Sequence, residues 1–379
     1  MKAWWGKHDE ILMQSQAKVS QGKVSRAKCL AHTTHTHTHT SLARDYYITL
    51  YYFRSRSMGS PYDGGEGCVQ VLGADDYVCT LPPDVRKLAS ADLMENESTR
   101  PTALHQMRQF VTRNTAITKC RLDGNFLLRF LRMKKFCVRE SQELLEKYLR
   151  MRQDNPKWFL GLDVRDPTLD SLISTGYFFA LPERDESGRR VFFSVAGKMD
   201  PTRFTTSDQM RSMQIGFESL LEDEENQVRG FTYIFDEKDL GLSLITLWSP
   251  SEVAKAFQCC EKTIPMRHKE IHIVNLPTAL MAVFEFAKTL LSDKIKSRFQ
   301  MHSEDAKLRK AVPARLLPRE YGGTVPMEEM IKMYKKELEA VRPRVLMLDQ
   351  MNITKKVKRK AVEKALSSIQ RNFKKLDFD

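Results

Sequence analysis

The sequence predicts an α/β layer fold preceded by a small all-helical subdomain. Three observations carry that expectation. Helical and strand-like periods alternate through the second half of the chain. Two apolar runs there, RGFTYIFD and EIHIVN, are short and continuous, the pattern of strands buried on both faces. The stretches between them are long enough for helical crossovers, which join parallel strands. With 379 residues, 41% of them hydrophobic, the chain has ample material for a core.

Residues 1 to about 75 lack sustained periodicity and include AHTTHTHTHTSL, whose alternating histidines are read as a chance repeat with no assigned function. From Leu81 the texture changes. PPDVRKLASADLMENE and RPTALHQMRQFVTRN read as two helices, the second opening near Pro101. In DGNFLLRFLRMKKF, Phe126, Leu127, Phe130 and Leu131 share one helical face and leave Arg129, Arg132, Lys134 and Lys135 at its rim. VRESQELLEKYLRMRQDNP repeats the pattern until Pro156 ends it. TGYFFALPERDESGRRVFFSV then gives two strands joined by a turn from Asp185 to Gly188, and SDQMRSMQIGFESLLEDEENQ a helix capped by Ser207 or Asp208. SPSEVAKAFQCCEKTIP has the capping-box spacing Ser249 to Glu252 and ends before Pro265. After EIHIVN comes the helix PTALMAVFEFAKTLL. Ser292 and Asp293 supply an N-cap and a first-turn acid, so a break is expected there, followed by a short helix DKIKSRF. The last 30 or so residues form a basic helix or tail.

A net charge of +13 points to an anionic partner. Seven scattered cysteines without a C-x-x-C pair suit a reducing cytosol better than a disulfide framework. The first residues lack an apolar signal core, and no run approaches the ~18 apolar residues of a spanning helix, so a soluble chain with peripheral membrane contact is expected. The sequence holds no P-loop, G-x-G-x-x-G, G-x-S-x-G or H-E-x-x-H, which argues against an enzyme. Glu222, Asp223, Glu224 and Glu225 read as a solvated face. His268 and His272, four apart on a strand, point to one face without a third ligand and read as structural. The basic stretch KKVKRKAVEKALSSIQRNFKK has only Phe373 as an interleaved aromatic, so nucleic acid is not expected.

Apolar stripes say more. Met210, Met213 and Phe217 lie on one helical face with Leu220 and Leu221; Ala256, Cys259 and Cys260 lie on another; Phe231 and Phe235 alternate along a buried strand. Together they are soft, adaptable groups suited to a lipophilic cavity. On the helix after EIHIVN, Val283, Phe284, Ala287, Leu290 and Leu291 fit one face, while Lys294 and Arg298 sit four apart beyond the break.

In this order, FLLRFLRMKKF, GYFFALPERDESGRRVFF, IFDEKDLGL, SPSEVAKAFQ, IPMRHKEIHIVNLP, LLSDKIKSRFQMH and LLPREYGG resemble the CRAL-TRIO lipid-transfer family over about residues 80 to 325. The chain looks most like its tocopherol-transfer, retinaldehyde-binding and clavesin-type branch. The resemblance implies a three-layer fold in which a mostly parallel sheet floors a lipid pocket under a mobile helical gate, about Thr278 to Phe299. Domains follow as 1–78, an N-terminal extension; 79–160, the helical subdomain; 161–326, the lipid-binding domain; and 327–379, the basic C-terminal helix or tail.

It further implies a phosphoinositide-binding set of Arg132, Arg267, Lys269, Lys294 and Arg298. The pocket wall would comprise Met210, Met213, Phe217, Phe231, Phe235, Trp248, Ala256, Cys259 and Cys260, and the gate Val283, Phe284, Ala287, Leu290 and Leu291. The implied function is a soluble carrier, with no cofactor or metal. It would exchange a hydrophobic ligand such as a tocopherol, a retinoid or another lipid at phosphoinositide-containing, endosomal membranes facing the cytoplasm. The alternative is a phosphoinositide-sensing adaptor that transfers no cargo. The tocopherol pattern has small hydroxyl side chains where this chain has Met213 and Phe217, so a cargo other than tocopherol itself is expected.

Overall fold

The computed structural model describes residues 70–72 and 76–354; the histidine-rich run and the basic stretch from residue 355 lie outside them. The first described elements are β1 (Gln70–Leu72), α1 (Pro83–Leu93), α2 (Thr99–Arg113), β2 (Ile117–Arg121), α3 (Gly124–Met133), α4 (Val138–Asp154) and α5 (Pro156–Phe159). Asp123 caps α3, accepting a hydrogen bond from Phe126 N at 3.1 Å, and Phe126, Phe130 and Tyr148 close the core between α3 and α4 edge to face.

The second set is α6 (Pro167–Thr175), β3 (Phe178–Arg184), β4 (Arg190–Val195), α7 (Thr206–Leu220), α8 (Glu224–Arg229), β5 (Phe231–Asp236), α9 (Leu242–Thr246), α10 (Pro250–Lys262), β6 (His268–Val274), α11 (Met281–Thr289), α12 (Asp293–Lys296), β7 (Phe299–His302), α13 (Asp305–Ala311), α14 (Met327–Leu346) and β8 (Asn352–Ile353). Strands β3 to β7 form one sheet in chain order. β3 and β4 are an antiparallel hairpin, and every later pairing is parallel. The hairpin turn is closed by Asp185, whose Oδ1 accepts from Ser187 N and Arg189 N, with Gly188 at φ +72°. Sequential parallel strands with right-handed crossovers place all their helices on one face. Helices α7, α10 and α11 accordingly roof one side of the sheet. On the other, Tyr321 packs edge to face on Phe193 at 4.8 Å, and α13 packs along β6 and β7.

Helix boundaries follow their capping chemistry. Ser249 and Glu252 form the capping box at α10 with Pro250 at its first position. At α7 the cap is Thr205 rather than Ser207 or Asp208. Asp208 occupies the third helical position and returns a bond to Thr205 N, so the whole box lies further upstream than expected.

Two expectations change in kind. The region before residue 160 is not all helical: β2 pairs parallel to β1 and antiparallel to β8 in a second, three-stranded sheet. A five-residue strand whose partners come from positions 70–72 and 352–353 leaves no local signature. The segment from residue 327 opens with a helix, as expected, but that helix is core rather than a separate appendage: α14 packs on α7 and β3 and buries Met327, Met330, Ile331, Tyr334, Leu338 and Val345.

Candidate functional site: an apolar cavity beside a cluster of cations

Between the sheet and its roof lies a cavity of about 440 Å³, within the roughly 300–1,000 Å³ range of small-molecule sites. Phe178, Tyr233, Phe235 and Ile273 form its floor; Met210, Met213 and Phe217 of α7 and Ala256, Phe257 and Cys260 of α10 form its walls; Trp248 closes one corner. The stacked rings of Phe192, Tyr233 and Phe235 continue the floor as a rigid aromatic surface. Of the expected wall, Phe231 and Cys259 do not reach the cavity. Phe231 stacks on Phe192 at 5.6 Å and is fully buried. Cys259 is also fully buried, because the helical turn that aims Cys260 into the cavity aims its neighbour away.

Phe284 and Ala287 of α11, with Leu291 and Ile295, supply the roof. Val283 is exposed and Leu290 half-buried, and neither lines the cavity. Helix α11 has no fully buried residue, so the roof is held by few contacts. The break after it is the one the sequence announces: Ser292 Oγ accepts from Ile295 N to start α12, and Ser292 N donates to Glu261 on α10 at 3.2 Å.

Strand β6 joins cavity to charge through a one-residue bulge. Phe231 pairs with His268 but Thr232 with Glu270, leaving Lys269 as the extra residue. The bulge reverses the alternation, so His268, Ile271 and Ile273 all face the cavity while His272 faces the opposite side. The two histidines therefore do not share a face, contrary to strict alternation. His268 Nε2 donates to Cys260 O at 2.8 Å, which leaves Nδ1 to accept from the Tyr233 hydroxyl at 2.7 Å. Burial pushes His268 down, and it stays neutral in this network. His272 pairs instead with His302 at 2.9 Å.

At the bulge, Arg267, Lys269 and Arg298 gather with Arg189, which lies just ahead of β4 and is paired with Glu270 at 2.6 Å. Burial, with Arg267, Arg189 and Arg298 close by, lowers the Lys269 ammonium to about 8. Burial and Arg298 likewise lower Arg267, whose nearest carboxylate, Asp92 of α1, is 3.8 Å away. Close approach here requires Gly230 (φ +86°): a Cβ would sit 2.4 Å from Arg267 O. Arg189 was not in the expected set; its only sequence signal is the Arg189–Arg190 pair directly after the hairpin turn. Lys294 is exposed on α12, one turn before Arg298.

Arg132 is not in this cluster. Its guanidinium is fully buried, bound to both Glu95 oxygens at 2.8 Å, to Gln227 and to Glu224. It belongs to an interior network. Glu222, expected on a solvated face, accepts from Arg121, Arg129 and Arg344. Burial alone would raise that carboxyl, but the three guanidiniums overcome it and hold it at about 2. Glu218 binds Arg129 at 2.9 Å and the Tyr148 hydroxyl at 2.7 Å. Among the described residues, no group of histidines, cysteines and carboxylates is arranged to hold a metal ion, and no helix is long and apolar enough to cross a membrane.

Residues 174–323, which contain the sheet, the cavity and the cation cluster, match a family model described as the CRAL/TRIO domain. An alpha-tocopherol transfer protein-like protein of Mus musculus is 31% identical over 249 residues, 65% of this chain and 72% of that protein. Clavesin-1 of Xenopus laevis is 30% identical over 251 residues, covering 66% and 76%. Clavesin-2 of Homo sapiens is 30% identical over 251 residues, covering 66% and 77%. The crystal structure of Sfh5 overlaps with a TM-score of 0.42 at 13% identity, over 71% of this chain and 100% of that one, a likeness too loose to argue from.

Proposed function

Because the chain belongs to the CRAL/TRIO domain family, we propose that it is a lipid carrier: it holds one hydrophobic molecule in the cavity and exchanges it at phosphoinositide-containing membranes. The role is binding and release rather than chemistry. The observation that carries the reading is the cavity itself, walled by apolar side chains and roofed by a helix with no fully buried residue.

The energetics call for a trigger. Burying about a dozen carbons contributes roughly 10 kcal/mol at about 0.8 kcal/mol per methylene, so a closed cavity releases its cargo slowly into water. A cation near an anionic leaflet contributes about 1 kcal/mol, so Arg267, Lys269 and Arg298 together supply about 3 kcal/mol, with Arg189 already paired to Glu270. That is enough to hold the protein at a surface yet weak enough to reverse with salt. All three lie at one end of β6 or just ahead of β7, next to the roof segment. Docking there is the event that opens the roof.

Two measurements test this. Mass spectrometry of an organic extract of the purified protein is expected to find a stoichiometric lipid. Arg267→Ala combined with Lys269→Ala is expected to keep that lipid while weakening binding to phosphoinositide vesicles by ten-fold or more. A lipid-free protein that still binds vesicles is an adaptor; unchanged vesicle binding removes the headgroup assignment.

A further inference from the structure

The roof segment runs out into a strip of outward-facing side chains. Asp293, Lys294, Ser297, Gln300 and Met301 are exposed, and β7 is the last strand of its sheet, paired on one side to β6. Ser297 lies in the middle of that strip, where α12 gives way to β7. It is the C-cap of α12, and its hydroxyl donates to Lys294 O at 3.1 Å, a bond within its own turn. Ser292, the other serine of the segment, is half-buried, and its hydroxyl is spent on Ile295 N as the cap of α12.

The surroundings of Ser297 are cationic on both sides. Lys294 and Lys296 precede it and Arg298 follows it. Arg298 O accepts from Ile271 N at 3.0 Å, so the chain enters the sheet beside β6 directly after Ser297. Lys269 stands two residues before Ile271, about 7 Å along the strand at roughly 3.3 Å per residue. Arg189 and Arg267 each have a carboxylate nearby, Glu270 at 2.6 Å and Asp92 at 3.8 Å. Lys269 and Arg298 are half-buried next to these further cations, and among the described residues neither has a carboxylate in ion-pair reach. Crowded, partly desolvated cations without a counter-charge are costly, and a phosphate delivered to them removes the cost.

We propose that Ser297 is a phosphorylation site and that its phosphate takes the place of a lipid headgroup at the cation cluster, switching membrane docking off. The modifying enzyme is a protein kinase that reads basic residues on both sides of its serine. The γ-phosphoryl group of ATP moves to Ser297 Oγ, the hydroxyl proton passes to the kinase's base, and ADP leaves. The product carries a charge of roughly −1.5 to −2 and three strong acceptor oxygens at neutral pH. Covalently tethered one residue from Arg298, it competes with any headgroup at a high effective concentration, and it repels the phosphates of the leaflet as well. The cavity keeps its lining, since Ser297 is not part of it.

This inference rests on the docking reading above. Its test uses the full chain, ATP, the catalytic domain of protein kinase C, and phosphatidylcholine vesicles containing phosphatidylinositol bisphosphate. Tandem mass spectrometry is expected to find phosphate on Ser297. The modified protein is expected to bind the vesicles about ten-fold more weakly while yielding the same extracted lipid. Ser297→Ala, treated in the same way, is expected to keep its affinity, which removes any effect of phosphate elsewhere on the chain. Ser297→Glu is expected to lose about five-fold, whereas Ser303→Glu, the same change of charge beyond the far end of β7, is expected to lose nothing. An unmodified Ser297, vesicle binding that survives its modification, or equal weakening by the two glutamates overturns the proposal. If the unmodified wild type ignores phosphoinositide vesicles, the docking reading itself fails and the switch falls with it.

Discussion

Lys269 illustrates how much a single position can be asked to do. Burial and its arginine neighbours disfavour its charge, lowering the ammonium to about 8 from an ordinary 10.5. A bound phosphate favours the charge and raises it again, so docking takes up protons. Affinity for phosphoinositide vesicles is therefore expected to fall as pH rises from 7 to 9. Lys269→Arg, which stays charged across that range, is expected to lose most of the slope in a vesicle co-sedimentation series. Arg132, Arg267, Lys269, Lys294 and Arg298 were named together because the family resemblance implies that set. The structure gathers Arg267, Lys269 and Arg298 but holds Arg132 in the interior, on ion partners Glu95 and Glu224 that lie 37 and 92 positions away in the sequence.

At the scale of elements, the roof was the most readable part. Ser292 and Asp293 marked the break between α11 and α12, and the structure begins α12 at Asp293. That cap also anchors the roof, since the same residue gives its N–H to Glu261 on α10. Ser292→Ala removes a cap worth about 1 kcal/mol. Little of that is expected in global unfolding, because α11 and α12 bury so little. Stopped-flow transfer of a fluorescent lipid to neutral acceptor vesicles is expected to quicken about five-fold, and an unchanged rate would separate the roof from release. The elements that escaped sequence reading were those with distant partners. β2 needs strands from both ends of the described chain, and α14 looked like a basic tail because its lysines and arginines hide a buried stripe of six residues.

For the molecule as a whole, the arginine–carboxylate network ties the helical region, the cavity wall and the C-terminal helix into one body. Glu222 follows α7, whose other residues line the cavity, and it binds Arg121 and Arg129 from the helical region and Arg344 from α14. Removing its charge leaves three buried or half-buried guanidiniums short of a partner. Glu222→Gln is expected to lower the unfolding free energy by about 3–5 kcal/mol in urea denaturation. The wild type's advantage is present above the ordinary carboxylate range and fades as pH falls from about 4.5 toward 2, where Glu222 itself takes a proton. The layered α/β order was legible because it rests on local periodicity; which charge meets which was not, because pairings between residues a hundred positions apart leave no trace in spacing.

The extra residue in β6 is a cation added to the strand without cost to the cavity's register. Deleting Lys269 would restore a regular ladder and leave Ile271 and Ile273 opposite Tyr233 and Phe235, still facing the cavity, while His272 stays outside it. Such a deletion is therefore expected to weaken binding to phosphoinositide vesicles while the cavity keeps its lining.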